Sequence, residues 1–276
     1  MIGVLQDWVG RTEEAEDVLT PALVQRFAAV LDLRGARAAA GDPAPPGIHW
    51  CLAMAALPVA GLGEDGHPAL GGFLPPVPSG RRMWAGGIIR TLGPMRIGDT
   101  IRRTSRVASV EMKEGRSGPL CFVAVDHTYS DDGAGVVVER HDIVYRGGGQ
   151  AGEGPQQQPS SLPGAETAVT VATTPTLLFR YSALTFNGHR IHYDLPYARD
   201  VEGYAGLVVH GPLQATWMLH LARDVLGKVP TYFRFRGVRP LICGDVARIE
   251  AMTEASVLRL RVRDSQGETT MLAEAG

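Results

Sequence analysis

The sequence predicts an α+β fold made of two similar halves, each an antiparallel sheet wrapped around one long central helix. Three observations lead there. The run Pro94-Met95-Arg96-Ile97-Gly98-Asp99 recurs as Pro240-Leu241-Ile242-Cys243-Gly244-Asp245, a P-x-x-x-G-D turn set between β-rich runs both times. One order of elements occurring twice is the mark of a duplicated unit. Residues 147–164, GGGQAGEGPQQQPSSLPG, carry almost no apolar side chain and read as a linker. Pro212–Leu226 is apolar almost all round, which only a buried helix can be. The division is therefore an N-terminal half, 1–146, a linker, 147–164, and a C-terminal half, 165–276.

Taken in order, Thr20–Arg34 is a helix, because Thr20 supplies a capping hydroxyl, Pro21 suits the first helical position, and Leu23, Phe27, Val30 and Leu31 follow at helical spacing. Ile48–Ala60 is an apolar run read as the buried helix of the first half, ending near Pro58. Strands follow at 84–91, 100–112, 119–130 and 136–146. In the second half the helix Pro212–Leu226 ends at Gly227 as a C-cap, and strands follow at 231–239, 245–255, 256–264 and 268–274. A curled sheet that covers an all-round apolar helix is the arrangement of the hot-dog fold, here in its double form.

Composition excludes several classes. Apolar residues make up 45% and charged residues 20%, with a net charge of −2, so no basic patch invites a nucleic acid. No apolar run approaches the length of a membrane-spanning helix, and the N-terminus has no basic segment leading into an apolar core. The three cysteines, Cys51, Cys121 and Cys243, are odd in number, far apart and set among apolar residues, which reads as reduced thiols in a cytoplasm. No C-x-x-C or H-x-x-x-H spacing calls for a metal, and none is expected.

Chemistry concentrates between Arg180 and Asp194. His189 and His192 sit three apart there, and histidine is the side chain best matched to proton transfer near neutral pH. Downstream, Val208-Val209-His210-Gly211-Pro212 opens directly into the buried helix. The free N–H groups of a helix start, with the helix dipole, can hold a developing oxyanion, and Gly211 lets a carbonyl approach closely.

The stretch RYSALTFNGHRIHYDLPYARDVEGYAGLVVHGPL, Arg180 to Leu213, resembles the MaoC-like hydratase and dehydratase family. That family's D-x-N-P-x-H block places its catalytic histidine on His192, its aspartate on Asn187, its asparagine on His189 and its proline on Arg190. Only the histidine of that block is kept. Asp194, Tyr197-Ala198 and His210-Gly211 also match. The form F-N-G-H-R-I-H-Y-D is nearest to mitochondrial-type 3-hydroxyacyl-thioester dehydratases and to bacterial itaconyl-CoA and mesaconyl-C4-CoA hydratases. The segments LPPVPSGRRMWAGG, RIGDTIRRTSRV and KEGRSGPL extend the likeness to the first half.

The resemblance implies a hydro-lyase that adds water to a 2-enoyl-CoA, with branched dicarboxylic acyl groups favoured. It implies no cofactor beyond the CoA of the substrate, and a homodimer. In that reading His192 is the base, Asn187 positions the water and the Gly211 amide holds the enolate. His189 supports them. Arg190 and Arg180 are either substrate contacts or ion-pair partners of nearby carboxylates, and His210 is either a substrate contact or a buried histidine packing the helix entrance. Arg234 and Arg236, alternating with apolar residues on a strand, form either a solvated strand face or an electropositive rim for the CoA phosphates. Asp194 and Glu202 are the candidates for the missing carboxylate, Asp194 being also a helix cap. The first half is expected to shape the acyl tunnel, with Trp50 flanking it and Trp84 in the core. The competing classes are dehydration of a 3-hydroxyacyl thioester, thioester hydrolysis, and acyl-CoA binding without catalysis.

Overall fold

The computed structural model describes residues 5–33, 35, 38–77, 81–115, 118–132, 134–147 and 165–276. Nearly all of the linker expected at 147–164 lies outside them. The first half runs β1 (Thr12–Val18), α1 (Pro21–Val30), β2 (Arg81–Thr91), β3 (Thr100–Gly115), β4 (Gly118–Asp131) and β5 (Ala134–Arg146). The second runs β6 (Thr167–Ala172), α2 (Pro175–Leu184), α3 (Gly211–Leu226), β7 (Tyr232–Gly237), β8 (Val246–Glu254), β9 (Val257–Arg263) and β10 (Thr269–Ala275).

The double hot-dog holds, with one change in its construction. The two sheets are not separate: among the described residues all ten strands join in one sheet, ordered β1-β3-β4-β5-β2-β7-β10-β9-β8-β6. Read from either edge inward the two halves give the same succession, so β2 and β7 are counterparts. They pair antiparallel with each other, Ile88 opposite Arg234. The repeated turn behaves identically in both halves. Gly98 N–H donates to Leu19 O and Gly244 N–H to Thr173 O, both at 2.8 Å. Leu19 N–H donates to Asp99 O and Thr173 N–H to Asp245 O, both at 3.0 Å. Each turn thus ties the sheet to the residue before a Thr-Pro helix start, where Thr20 and Thr174 cap through their hydroxyls.

Among the described residues the long central helix is present in only one half. α3 is buried continuously from Leu213 to Ala222, and Gly227 closes it in the left-handed conformation. The helix expected over Ile48–Ala60 is replaced by two 3₁₀ turns, Ile48–Cys51 and Val59–Gly61. Leu52 returns to extended backbone, and the apolar run 55–60 is exposed. The run is interrupted by Pro58; Ile48, Cys51 and Leu52 pack into the core, while His49 and Trp50 also make polar contacts. Trp50 Nε1 donates to Glu139 Oε1 at 2.8 Å, and His49 Nε2 lies 3.4 Å from Oε2. His141 Nε2 lies 2.8 Å from Oε1, and His127 Nε2 lies 3.2 Å from His141 Nδ1. Burial would raise Glu139, but the charges and hydrogen bonds of His141 and His49 outweigh it and hold the carboxyl well below its usual range. A paired carboxylate can be buried where a lone one cannot. Trp50 therefore belongs to the core rather than to an exposed acyl pocket.

Candidate active site

The segment after α2 is placed by its own turns. Asn187 N–H donates to Ser182 O at 2.9 Å, and Asn187 Oδ1 accepts the backbone N–H of His189 at 2.9 Å, an Asx turn. A 3₁₀ turn, Arg190–His192, then carries His192 inward. Val208 N–H donates to Ile191 O at 3.0 Å, and His192 Nδ1–H donates to Val208 O at 2.7 Å. A carbonyl only accepts, so the proton sits on Nδ1 and Nε2 keeps its lone pair.

His192 is 6% exposed and stacks on His210, with ring centroids 3.6 Å apart and planes at 18°. Burial first, then the neighbouring His210 and His189, hold His192 well below the ordinary histidine range. It is therefore a neutral base at physiological pH. His210 is fully buried, with Nε2 2.8 Å from Ser182 Oγ. It is thus held between Ser182 and the His192 ring.

Gly211 is the first residue of α3, where a backbone N–H has no intrahelical acceptor. A Cβ at Gly211 would lie 2.8 Å from the Trp84 ring, so the close approach of β2 requires glycine there. Trp84 stacks on Phe235 at 4.5 Å and walls the helix entrance; it is more than core filling.

The other residues singled out from the sequence divide. Arg190 is engaged: Nε and Nη2 donate to Asp194 Oδ2 at 3.0 and 2.7 Å, and Nη1 donates to Glu64 O at 3.0 Å. Asp194 in turn accepts Tyr197 N–H at 3.1 Å, the capping role expected of it. Arg180 lies exposed on α2. Arg234 and Arg236 are exposed on β7, opposite in face to the buried Phe233 and Phe235 that pack into the core with α3. The structure does not bring these two to His192. Glu202 is 6% exposed, with Oε1 3.8 Å from His189 Nε2 and Oε2 3.5 Å from Arg81 Nε.

Two residues that the sequence did not point to complete the site. The loop Leu62–Pro68 of the first half lies against the His189 segment. Arg190 N–H donates to Asp65 O at 2.9 Å, and His67 faces His189 with ring centroids 4.1 Å apart. The donor atoms of Asp65, His67 and His189 lie within 4.8 Å of one another, a set that could hold a metal ion. Gly66 makes the apposition possible. Its φ is +86°, and a Cβ there would overlap the Gly188 carbonyl. Gly66→Ala should push the loops apart and lower kcat/KM at least tenfold while the thermal midpoint moves only a few degrees; unchanged kcat/KM would show that the contact is dispensable.

Comparison with known proteins gives a consistent picture. A profile of the family described as hydroxyacyl-thioester dehydratase type 2 matches residues 47–243. Mesaconyl-C(4)-CoA hydratase of Chloroflexus aurantiacus is 42% identical over 268 residues, 96% of this chain and 95% of that protein. The mitochondrial hydroxyacyl-thioester dehydratase type 2 of Schizosaccharomyces pombe is 28% identical over 230 residues, 74% of this chain and 76% of that one. A Mycobacterium tuberculosis protein described as a double hot-dog superposes with TM-score 0.60 at 15% identity, covering 97% of this chain and 95% of that chain.

Proposed function

This chain belongs to the hydroxyacyl-thioester dehydratase type 2 family and is a hydro-lyase, and we propose that it hydrates a branched dicarboxylic enoyl-CoA: mesaconyl-C4-CoA, a 2-enoyl thioester that gives citramalyl-CoA directly, or itaconyl-CoA, whose double bond must first move into conjugation with the thioester. One observation carries the reading: a buried neutral histidine, His192, whose Nδ1–H is fixed on Val208 O, stands beside the start of α3 at Gly211. In this reading His192 Nε2 takes a proton from water as the oxygen bonds the β-carbon. The π electrons move toward the thioester oxygen, whose charge the Gly211 N–H receives, and His192 returns its proton to the α-carbon.

Two features support a dicarboxylic acyl group. The likeness to the mesaconyl-C(4)-CoA hydratase extends over nearly the whole chain. Arg82, on β2, lies close enough to His67 to lower its affinity for a proton, so it adds a positive field at the site. The test is kcat/KM on mesaconyl-C4-CoA, itaconyl-CoA and crotonyl-CoA, with and without EDTA. We expect at least a tenfold preference for a dicarboxylic substrate and no effect of the chelator, since the chemistry needs no cofactor beyond CoA. A preference for crotonyl-CoA would contradict the substrate class.

A homodimer in the cytoplasm belongs to the same reading. The dimer is supported by the exposed apolar side chains Phe179, Phe186, Tyr193 and Val201, and sedimentation velocity gives the mass that checks it. No helix among the described residues is long and apolar enough to cross a membrane.

A further inference from the structure

An attacking water has two hydrogens. One goes to His192 Nε2; the other needs an acceptor that aims the oxygen lone pair at the β-carbon. Asn187 Oδ1 already accepts the His189 N–H, which ties the side chain into its own Asx turn. Asp194 is held by Arg190 and the Tyr197 N–H. Glu202 is buried behind His189, facing Arg81.

The loop Leu62–Pro68 supplies what these lack. Asp65 Oδ1 accepts His67 N–H at 3.0 Å, and Asp65 Oδ2 lies 3.0 Å from His67 Nδ1. A carboxylate at Nδ1 fixes the proton there and leaves Nε2 as an acceptor, made more basic by the partner. The loop is seated on the catalytic segment by Arg190, whose backbone N–H and Nη1 donate to Asp65 O and Glu64 O. From His67 the imidazoles continue to His189 at 4.1 Å and on to His192 at 5.4 Å. The His67 side chain is 19% exposed against 6% for His189, so it is the member of this row nearest solvent, where substrate must enter.

We propose that the Asp65–His67 pair of the first half is the second catalytic group of the site, with His67 Nε2 accepting the spare hydrogen of the attacking water while His192 removes the other. No proton leaves through His67: the O–H it holds stays with the product hydroxyl, and His192 alone carries a proton from oxygen to the α-carbon. The first half then contributes to catalysis as well as to the tunnel. The inference rests on the hydratase reading above.

The experiment compares wild type, His67→Ala, His67→Gln, Asp65→Asn and the double variant His67→Ala/Asn187→Asp in hydration of mesaconyl-C4-CoA. We expect His67→Ala to lower kcat by 10²-fold or more with KM within about threefold. His67→Gln keeps an acceptor oxygen and should retain more rate than Ala. Asp65→Asn should lower kcat and move the acidic limb of the pH–rate profile. A carboxylate at position 187 offers the water a new acceptor, so the double variant should recover rate over His67→Ala, a rescue that lost packing would not show. His67→Ala within twofold of wild type would overturn the inference and leave the hydratase reading standing. Loss of wild-type activity in EDTA, restored by Zn²⁺, would overturn it in favour of a metal centre at Asp65, His67 and His189. Wild-type protein that hydrates no enoyl-CoA would overturn both.

Discussion

His192→Gln is expected to lower kcat/KM by about 10²–10⁴, the usual worth of a positioned general base. Glutamine can still donate a hydrogen bond to Val208 O, the contact that His192 Nδ1 makes at 2.7 Å, but its amide cannot take a proton. Packing against His210 is partly kept, so the thermal midpoint should fall by only a few degrees while turnover collapses. His192 acts in its neutral form and is held well below the ordinary histidine range by burial, His210 and His189. The acidic limb of the wild-type pH–rate profile should therefore lie below pH 6.5. A limb at or above 6.5, or a glutamine variant with near-normal turnover, would remove His192 from the role of base.

The second large effect is acid lability. His192, His127, His210 and His220 are 6, 7, 0 and 6% exposed, and all four titrate below the ordinary range, burial being the leading cause in each. His210 is lowered to about 3 and His220 to about 4. The unfolded chain binds a proton at each near pH 6.5, whereas the folded protein does not until the pH is far lower. The stability held above 6.5 is therefore lost as pH falls from 6.5 toward 3–4. At pH 5 His210 and His220 each cost ~2 kcal/mol, together ~4 kcal/mol, a large part of a typical domain's whole stability, and His192 and His127 act in the same direction. Glu139, held low by His141 and His49, adds to the loss as its own range is approached. Urea unfolding at pH 7.5 and 5.0 should show the midpoint dropping steeply. Equal midpoints would mean that the histidines are solvated in the native state.

How much of this was legible in the sequence depended on whether a residue's neighbours along the chain announced its role. α3 was readable because an all-round apolar run has one physical explanation, and the strands β2–β5 and β7–β10 because the repeated P-x-x-x-G-D set them in two matching series. β1 was not, because Thr12–Val18 is mostly acidic and acidic residues are depleted in strands. It forms by pairing Glu16 and Glu13 with Arg102 and Arg103 of β3, a cross-strand effect that no single segment displays. α2 carried its signal, since Thr174-Pro175 repeats the Thr20-Pro21 start, but the chemistry-rich residues after it drew the reading away. Ile48–Ala60 was misread because apolarity alone does not tell a buried helix from a turn followed by an exposed strap.

The site divides in the same way. The placement of Gly211 at the start of α3 was legible from the apolar run that follows it, and His192 stood out through the family resemblance. His210 is fully buried and stacked on His192, a placement that the sequence did not display. Asp65 and His67 lie more than 120 positions before His189 in a loop without periodicity, and only the folded apposition of Gly66 on Gly188 brings them to it. Their nearest sequence cue was the D-x-H spacing after Gly63, too short to distinguish a pair from two surface residues.

The central claim is that the chain adds water to an enoyl thioester and leaves the thioester intact. Thioester hydrolysis on the same fold is the competing chemistry, so the deciding measurement follows both bonds at once. Purified protein is mixed with mesaconyl-C4-CoA while enoyl absorbance and free thiol are recorded together. The structure predicts loss of the enoyl signal to a hydration equilibrium with no thiol released. Thiol appearing in step with substrate loss, or an enoyl signal that never changes, would contradict it.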